Sequence, residues 1–281
     1  MNNLEGKVAA ITGAASGFGR ELARLAARQH MRLALADVQR DALDVVANEL
    51  KRTGAVVISD VVDVAQAAQV QRFAEHAFSA FGHVHLLINN AGVGGGGYVW
   101  ENTARDWQWV MGVNLMGVVH GVQHFVPRML EANKRGEPGH IVNTASIAGW
   151  LAAPLMGVYN VSKHAVVALS ETLYHDLRLA ESTIGVSVLC PAFVPTGIAH
   201  SQRYRPAELL NADELTASQR IAQVATEKAV ASGRITAEQI AQLTFDAVQD
   251  NRFYVFTHPQ ILPSVRARFD AVLSGTAPAD P

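Results

Sequence analysis

Short apolar runs alternate with amphipathic stretches along most of the chain. Residues 7–12 (KVAAIT) are an apolar run of strand length, followed by a glycine-rich turn over 13–19. Residues 20–29 have helical spacing, with Leu22, Leu25 and Ala26 on one side. Residues 31–36 (MRLALA) predict a second strand, ending at Asp37, and residues 40–53 a second helix. A third strand is predicted over 55–62, closing on Asp63-Val64, then a helix over 67–81 and a strand over 84–88. Near-continuous apolar strands separated by amphipathic helices predict a parallel sheet covered on both faces.

The alternation continues through the second half. A long amphipathic helix is predicted over 106–133, a strand over 140–144 (HIVNT), a long helix over 160–181 and a strand over 185–190 (GVSVLC). Between residues 199 and 233 polar and helical stretches interleave without a strand pattern. Thr236-Ala237-Glu238-Gln239 then reads as a capping box opening a helix through Val248. A last strand over 252–257 (RFYVFT), a short helix over 263–273 and a loose tail over 274–281 complete the chain. Without repeat or linker, the pattern predicts one α/β domain, a doubly wound parallel sheet spanning 1–281. Residues 199–233 form an inserted segment suited to covering a substrate site.

Composition narrows the function classes. With 281 residues, 49% hydrophobic and 17% charged, the chain has ample material for a continuous core. A net charge of -2 without a dense Lys/Arg run argues against a nucleic-acid partner. The single cysteine, Cys190, cannot form an internal disulfide and excludes a multi-cysteine metal site. The first residues carry no basic start followed by an apolar stretch, so no secretory signal is expected. No apolar run approaches the ~20 residues needed to span a bilayer. A reducing, cytoplasmic setting without membrane attachment is the expectation.

The glycine turn, Thr12-Gly13-Ala14-Ala15-Ser16-Gly17-Phe18-Gly19, sits between a strand and a helix. Glycines there let the backbone turn tightly and approach a pyrophosphate, and the helix N-terminus supplies unpaired N–H groups. A plain turn would need only one or two glycines. The spacing, G-x3-G-x-G, is one residue longer between its first pair than the usual dinucleotide fingerprint. Asp37 can accept both ribose hydroxyls of an adenosine and would repel a 2'-phosphate, which favours NAD over NADP. The alternative is an ordinary polar cap on a strand end. Arg40, one helical turn on, partly offsets the repulsion.

Asn89-Asn90-Ala91-Gly92 follows the fourth strand, where ligands of open sheets gather. Gly94 to Gly97 are four successive glycines; either the loop moves on substrate binding or it tolerates disorder. Ser146 stands just after the strand 140–144. Tyr159 and Lys163 lie four apart, hence on one helix face. An ammonium beside a phenol is expected to lower the phenol pKa toward working pH, and Ser146 could bind the same substrate oxygen. Alone, Tyr-x-x-x-Lys is a common helix-face spacing; its place after a nucleotide-binding half gives it weight. His120 and His124 share a helix face without a third ligand, so no metal is expected.

These elements together resemble the short-chain dehydrogenase/reductase family over residues 7 to about 196. The resemblance rests on Thr12-Gly13 through Gly19, Asp63, Asn89 through Gly92, Asn114, Ser146, Tyr159 and Lys163, in order and at familiar spacings. It implies a Rossmann-type sheet. It also implies that Gly13, Ser16, Gly17, Phe18, Gly19 and Asp37 bind the cofactor, with Asp63 and Val64 at the adenine. Asn90, Ala91 and Gly92 would line the nicotinamide side with Pro191, Val194 and Thr196, the last at the carboxamide. Tyr159 would be the acid/base, Lys163 would also hold the nicotinamide ribose, and Asn114 would bind a water completing a proton relay. The family often has Pro-Gly where this chain has Pro191-Ala192, a departure that bears on substrate fit.

The resemblance implies hydride transfer between NAD and an alcohol or ketone. Ile147, Ala148, Gly149, Trp150, Leu151, Met156, Phe193 and Val194 form the candidate substrate wall, suited to a bulky hydrophobic or aromatic substrate; the alternative is that several of them pack the covering segment in every state. Arg203, Arg205 and Arg220 leave an anionic substrate group open. Residues 253–259 resemble a subgroup active on hydrophobic or lignin-type aryl alcohols. The two long helices carry more apolar residues than one sheet face needs. With the resemblance, this points to a homodimer or homotetramer through Val118, Val122, Phe125, Leu169, Leu173 and Leu177. Two rival readings are a same-fold enzyme without net redox chemistry and a catalytically silent nucleotide-binding protein.

Overall fold

A computed structural model describes residues 1 and 3–278 of the chain; the last three residues of the tail expected to be loose, 279–281, lie outside the described residues. Seven strands form one all-parallel sheet: β1 (Val8–Thr12), β2 (Arg32–Asp37), β3 (Val57–Val61), β4 (Leu86–Asn89), β5 (His140–Thr144), β6 (Gly185–Cys190) and β7 (Tyr254–Phe256). Their order is β3-β2-β1-β4-β5-β6-β7, every neighbouring pair parallel. The order reverses between β1 and β4, which opens a crevice at the carboxyl ends of those strands.

The apolar strands bury both faces, as the sequence pattern requires. Ile11, Leu33, Leu35, Leu86 and Ile88 face α1 (Gly17–Arg28), α2 (Arg40–Arg52) and α8 (Ala237–Gln249), meeting Leu22, Leu43, Leu50 and Phe245. Val8, Ala10, Ala34, Leu87 and Ile141 face α3 (Ala67–Phe81), α5 (Gly117–Asn133) and α6 (Gly157–Leu179). Phe125 anchors that second layer, with ring centroids 5.6 Å from Phe73 and 5.8 Å from Phe78. Truncating such a buried ring to alanine costs roughly 3–5 kcal/mol.

The helix expected over 106–133 is two helices. Thr103 and Asp106 form a capping box that opens α4 (Ala104–Met111), and a π turn over Gly112–Met116 separates it from α5. π turns inside helices commonly mark functional positions, and Asn114 is at the centre of this one. Strands β3 and β7 are shorter than their apolar patterns, because pairing ends before the hydrophobic run does, and β4 starts at Leu86 and pairs through Asn89. Between β6 and α8 lie short 3-10 turns at Gly197–Tyr204 and Ala207–Leu209 and the helix α7 (Ala217–Ala231). The capping box at Thr236 and Gln239 opens α8 as expected. The last helix, α9 (Leu262–Ser274), ends at Gly275 in the left-handed region.

The surplus apolar residues of the two long helices are absorbed within the monomer. Val118, Phe125, Leu173 and Leu177 are buried in its own core, and Val122 and Leu169 pack against it. The four buried ones belong to the monomer's own core, while Val122 and Leu169 stay half-buried. Among the described residues no helix is long and apolar enough to cross a membrane.

Candidate active site

The glycine turn closes on itself through backbone contacts. Gly13 has φ +66°, which a side chain would strain, and Ala14 N–H donates to Ala36 O at 3.0 Å. A Cβ on Gly19 would stand 2.0 Å from the Gly13 carbonyl oxygen. The first turn of α1 therefore packs directly over the loop. Gly13, Ser16, Gly17 and Phe18 line a cavity of about 730 Å³, while Gly19 is buried beneath them. Helices α4, α7 and α8 have capping boxes, but Ser16 makes no side-chain cap to α1. Its first-turn N–H groups stay available to an anion, and no acidic residue occupies that turn. These features fit a dinucleotide pyrophosphate.

Asp37 closes β2 at the cavity edge. Its carboxylate accepts from Ala15 N–H and Gln39 N–H, both at 2.9 Å. Burial pushes its pKa up, and the backbone N–H bonds from Gln39, Ala15 and Val38 pull it back. Asp63 and Val64 lie just past β3 and line the same end of the cavity. Asp63 accepts from Ala65 N–H at 3.0 Å, and the Val64 carbonyl accepts from His120 Nδ1 at 2.8 Å. His120 is thus a fixed prop under the loop. Among the described residues no group of three or more His, Cys, Asp or Glu could hold a metal.

The loop after β4 is tied to the glycine turn. Thr12 Oγ1 accepts from Asn90 N–H at 3.0 Å and Ala91 N–H at 3.1 Å, and Asn90 Nδ2 donates to Thr12 O at 3.0 Å. The four glycines beyond it answer to close packing. A Cβ on Gly96 would stand 2.7 Å from Ala222 Cβ, and one on Gly97 would stand 2.6 Å from Gln219 Cγ. Gly94 N–H donates to Ser201 Oγ at 2.8 Å. The loop is seated under α7 and the turn Gly197–Tyr204.

Ser146, Tyr159 and Lys163 converge on the cavity between these ends. Ser146 follows β5; its Oγ donates to Pro191 O at 3.2 Å and accepts from Ala148 N–H at 3.1 Å. Tyr159 and Lys163 share the buried face of α6, with Lys163 Nζ 5.7 Å from the tyrosine ring centroid. Lys163 Nζ donates to Thr144 O at 2.9 Å. Asn114 lies behind the wall, fully buried: its Oδ1 accepts from Val93 N–H at 2.8 Å, and its Nδ2 donates to Val93 O and Ser162 Oγ, both at 3.0 Å. Its side chain fixes the start of the glycine loop against α6.

The electrostatics correct one expectation. Burial pushes the Tyr159 phenol up to about 12, with the Ser146 hydroxyl offsetting part of the rise. Burial likewise pushes the Lys163 ammonium down to about 8. At the phenol, loss of solvation outweighs the Ser146 hydrogen bond.

Most of the expected substrate wall is present. Ile147, Ala148, Leu151, Met156, Phe193 and Val194 line the cavity, as do Pro191, Ala192 and Thr196. Gly149 and Trp150 do not. Gly149 abuts the Lys163 carbonyl, and Trp150 packs against Tyr254, Phe256 and Phe269 while its Nε1 donates to Cys190 Sγ at 3.2 Å. Of the three arginines, Arg205 lines the cavity but is locked to Asp106 at 2.6 Å, and Arg220 stays off the cavity and donates to Leu215 O. Arg203 lines the cavity, stacked on Tyr204. The sequence reading passed over Asp106 and Trp109; the Thr103-x-x-Asp106 capping pattern was the available signal.

Comparison with known proteins matches this geometry. The family model for short chain dehydrogenases covers residues 7–207. A CLA biosynthesis dehydrogenase/reductase of Lactiplantibacillus plantarum is 36% identical, over 99% of this chain and 97% of the relative. A C alpha-dehydrogenase of Sphingobium sp. is 31% identical, over 100% of this chain and 90% of the relative. A crystal structure of a short chain dehydrogenase/reductase from Burkholderia phymatum in complex with NAD superposes with TM-score 0.98 at 54% identity, covering 100% of this chain and 99% of that one. The family model spans most of the chain, and this chain is a member of the short-chain dehydrogenase family.

Proposed function

We propose that this chain is an NAD-dependent oxidoreductase acting on a secondary alcohol or ketone, with Tyr159 as its acid/base. The observation that carries this reading is the convergence of Ser146, Tyr159 and Lys163 on a cavity whose far end holds Asp37 and the glycine turn. When bound there, NAD supplies the carbon that takes or gives the hydride. Gly13, Ser16, Gly17 and Phe18 would hold its pyrophosphate, Asp37 its adenosine ribose, and Asp63 and Val64 its adenine. Asn90, Ala91, Gly92, Pro191, Val194 and Thr196 would line its nicotinamide half. Tyr159 takes the hydroxyl proton in oxidation and returns it in reduction, Ser146 orients the substrate oxygen, and Lys163 supports the tyrosinate. Asn114, by holding Val93 and Ser162, keeps the helix and loop in register behind them. The dehydrogenase relatives and the NAD-bound Burkholderia protein support the reading.

The substrate we assign is hydrophobic, with residues 199–233 covering it. Leu151, Met156, Val158, Phe193, Leu209 and Leu215 leave the substrate end of the cavity mainly apolar. Arg203 would meet any anionic group. A homodimer or homotetramer is the assembly we infer from family resemblance, and light scattering after gel filtration reads it. The functional test is a screen of aryl, steroid and aliphatic alcohols with NAD+, followed at the NADH absorbance. Turnover of at least one hydrophobic secondary alcohol supports the reading. Substrate conversion with no net NADH would favour a same-fold enzyme without net redox chemistry.

A further inference from the structure

The deepest ion pair near the cavity is outside the acid/base cluster. Asp106, at the start of α4, and Arg205, 99 residues later, meet at 2.6 Å with both side chains buried. Asp106 Oδ1 also accepts from Asn211 Nδ2 at 3.0 Å, and its Oδ2 accepts from Thr103 N–H at 2.8 Å and Thr103 Oγ1 at 3.0 Å. Arg205 Nε donates to Leu209 O at 2.7 Å, its second terminal nitrogen donates to Asn211 Oδ1 at 3.3 Å, and its guanidinium stacks over Trp109 at 5.2 Å. Every polar atom of the pair has a partner, the condition under which a buried pair holds a geometry.

The pair joins two walls of the cavity. Leu209 packs on the cluster of Val93, Trp109, Val110 and Val158, which borders Tyr159 in sequence and Gly95 in space. The same α4 runs into the π turn that carries Asn114. We propose that Asp106 and Arg205 are positioning residues for the substrate: they hold residues 204–211 against α4 and so set the width of the substrate end of the cavity. This rests on the oxidoreductase reading for the identity of the ligand, but the docking itself does not. The cofactor end, built on β1, β2 and α1, lies outside the pair's reach.

The test compares Asp106→Asn, Arg205→Gln, the double variant and the conservative Asp106→Glu in the full chain. Hydrogen exchange is followed separately in residues 204–211 and in α1, and NADH affinity by fluorescence. We expect exchange in 204–211 to quicken by about 10-fold or more in both single variants, with α1 exchange and NADH affinity unchanged. The double variant should be no worse than the singles, and Asp106→Glu should recover part of the protection. For 1-phenylethanol oxidation, KM should rise about 10-fold while kcat stays within about 3-fold, the signature of lost substrate positioning. Unchanged exchange in 204–211 overturns the proposal. Equal acceleration in α1, or a parallel loss of NADH affinity, also overturns it in favour of general destabilisation. If no alcohol is oxidised by the wild type, the oxidoreductase reading fails, and the exchange arm still decides the docking role.

Discussion

Lys163 on α6 donates to the carbonyl oxygen of Thr144, the last residue of β5, at 2.9 Å. The bond pins the helix that carries Tyr159 to the carboxyl edge of the sheet. A Cβ on Gly92 would stand 3.6 Å from Lys163 Nζ, so the loop after β4 closes over the same atom. Lys163→Met removes the ammonium and leaves the Thr144 carbonyl without its donor. A bond of this charge-assisted kind contributes about 1.5–3 kcal/mol. We expect kcat to fall by about 100-fold or more. The thermal midpoint should drop by several degrees. Steady-state kinetics and a melting curve check both, and an unchanged kcat would contradict the role given to Lys163.

Gly19 separates a packing requirement from simple backbone freedom. Its missing Cβ would stand 2.0 Å from the Gly13 carbonyl oxygen, whereas a Cβ on Gly54 would meet nothing within 4 Å despite φ +88°. Gly19→Ala must push α1 off the glycine turn, and we expect loss of detectable NADH binding with a large drop in stability. Gly54→Ala should cost only about 1 kcal/mol from backbone strain. Fluorescence titration and thermal melting of the two variants make the comparison. Normal NADH binding in Gly19→Ala would contradict the close-approach reading.

On the proposed reading, Asp37 sets cofactor choice through its charge. With both carboxylate oxygens fixed by Ala15 and Gln39 N–H, it cannot swing away from a 2'-phosphate. Asp37→Ser removes the repulsion, and Arg40 is close enough in sequence to assist. The NADPH-to-NADH affinity ratio should rise by about 10-fold or more. An unchanged ratio in parallel fluorescence titrations would assign discrimination to another group.

Acid stability should depend on His140. Burial pushes its folded pKa down to about 3, against an ordinary value of 6.5. Between those values the unfolded chain binds more protons, so stability falls as pH falls from 6.5 toward 3. At pH 5 this one group should cost about 2 kcal/mol relative to pH 7.5. Its Nε2 pairs with Ser187 Oγ at 2.8 Å inside the sheet. His140→Gln should flatten the dependence of unfolding free energy on pH, read from denaturant melts at pH 7.5 and 5. An equal slope in wild type and variant would remove His140 from the account.

Much of the fold was legible because its signals are local. Apolar strands buried on both faces read as short apolar runs, and Gly13, Gly17 and Gly19 stand in the turn they shape. Capping boxes at Thr236 and Thr103 are written within four residues, though only the first was read. The π turn at Asn114 was not legible, because helical periodicity continues across it. Asp106 and Arg205 are 99 residues apart, and no local rule joins them. Arg205 accordingly read as a free cation, and Val118 and Phe125 as surface apolar residues, until the tertiary neighbours were known. The spacing of Tyr159 and Lys163 was legible, but their burial, which raises the phenol and lowers the ammonium, depends on the whole fold.

On the proposed reading, Tyr159 carries the proton. Tyr159→Phe removes one hydroxyl from the cavity and leaves the glycine turn, Asp37 and Lys163 in place. The decisive measurement pairs NADH fluorescence titration with kcat for the best alcohol found in the screen. NADH affinity should stay within about 3-fold of wild type while kcat falls by about 100-fold or more. Turnover retained at the wild-type level would contradict that reading.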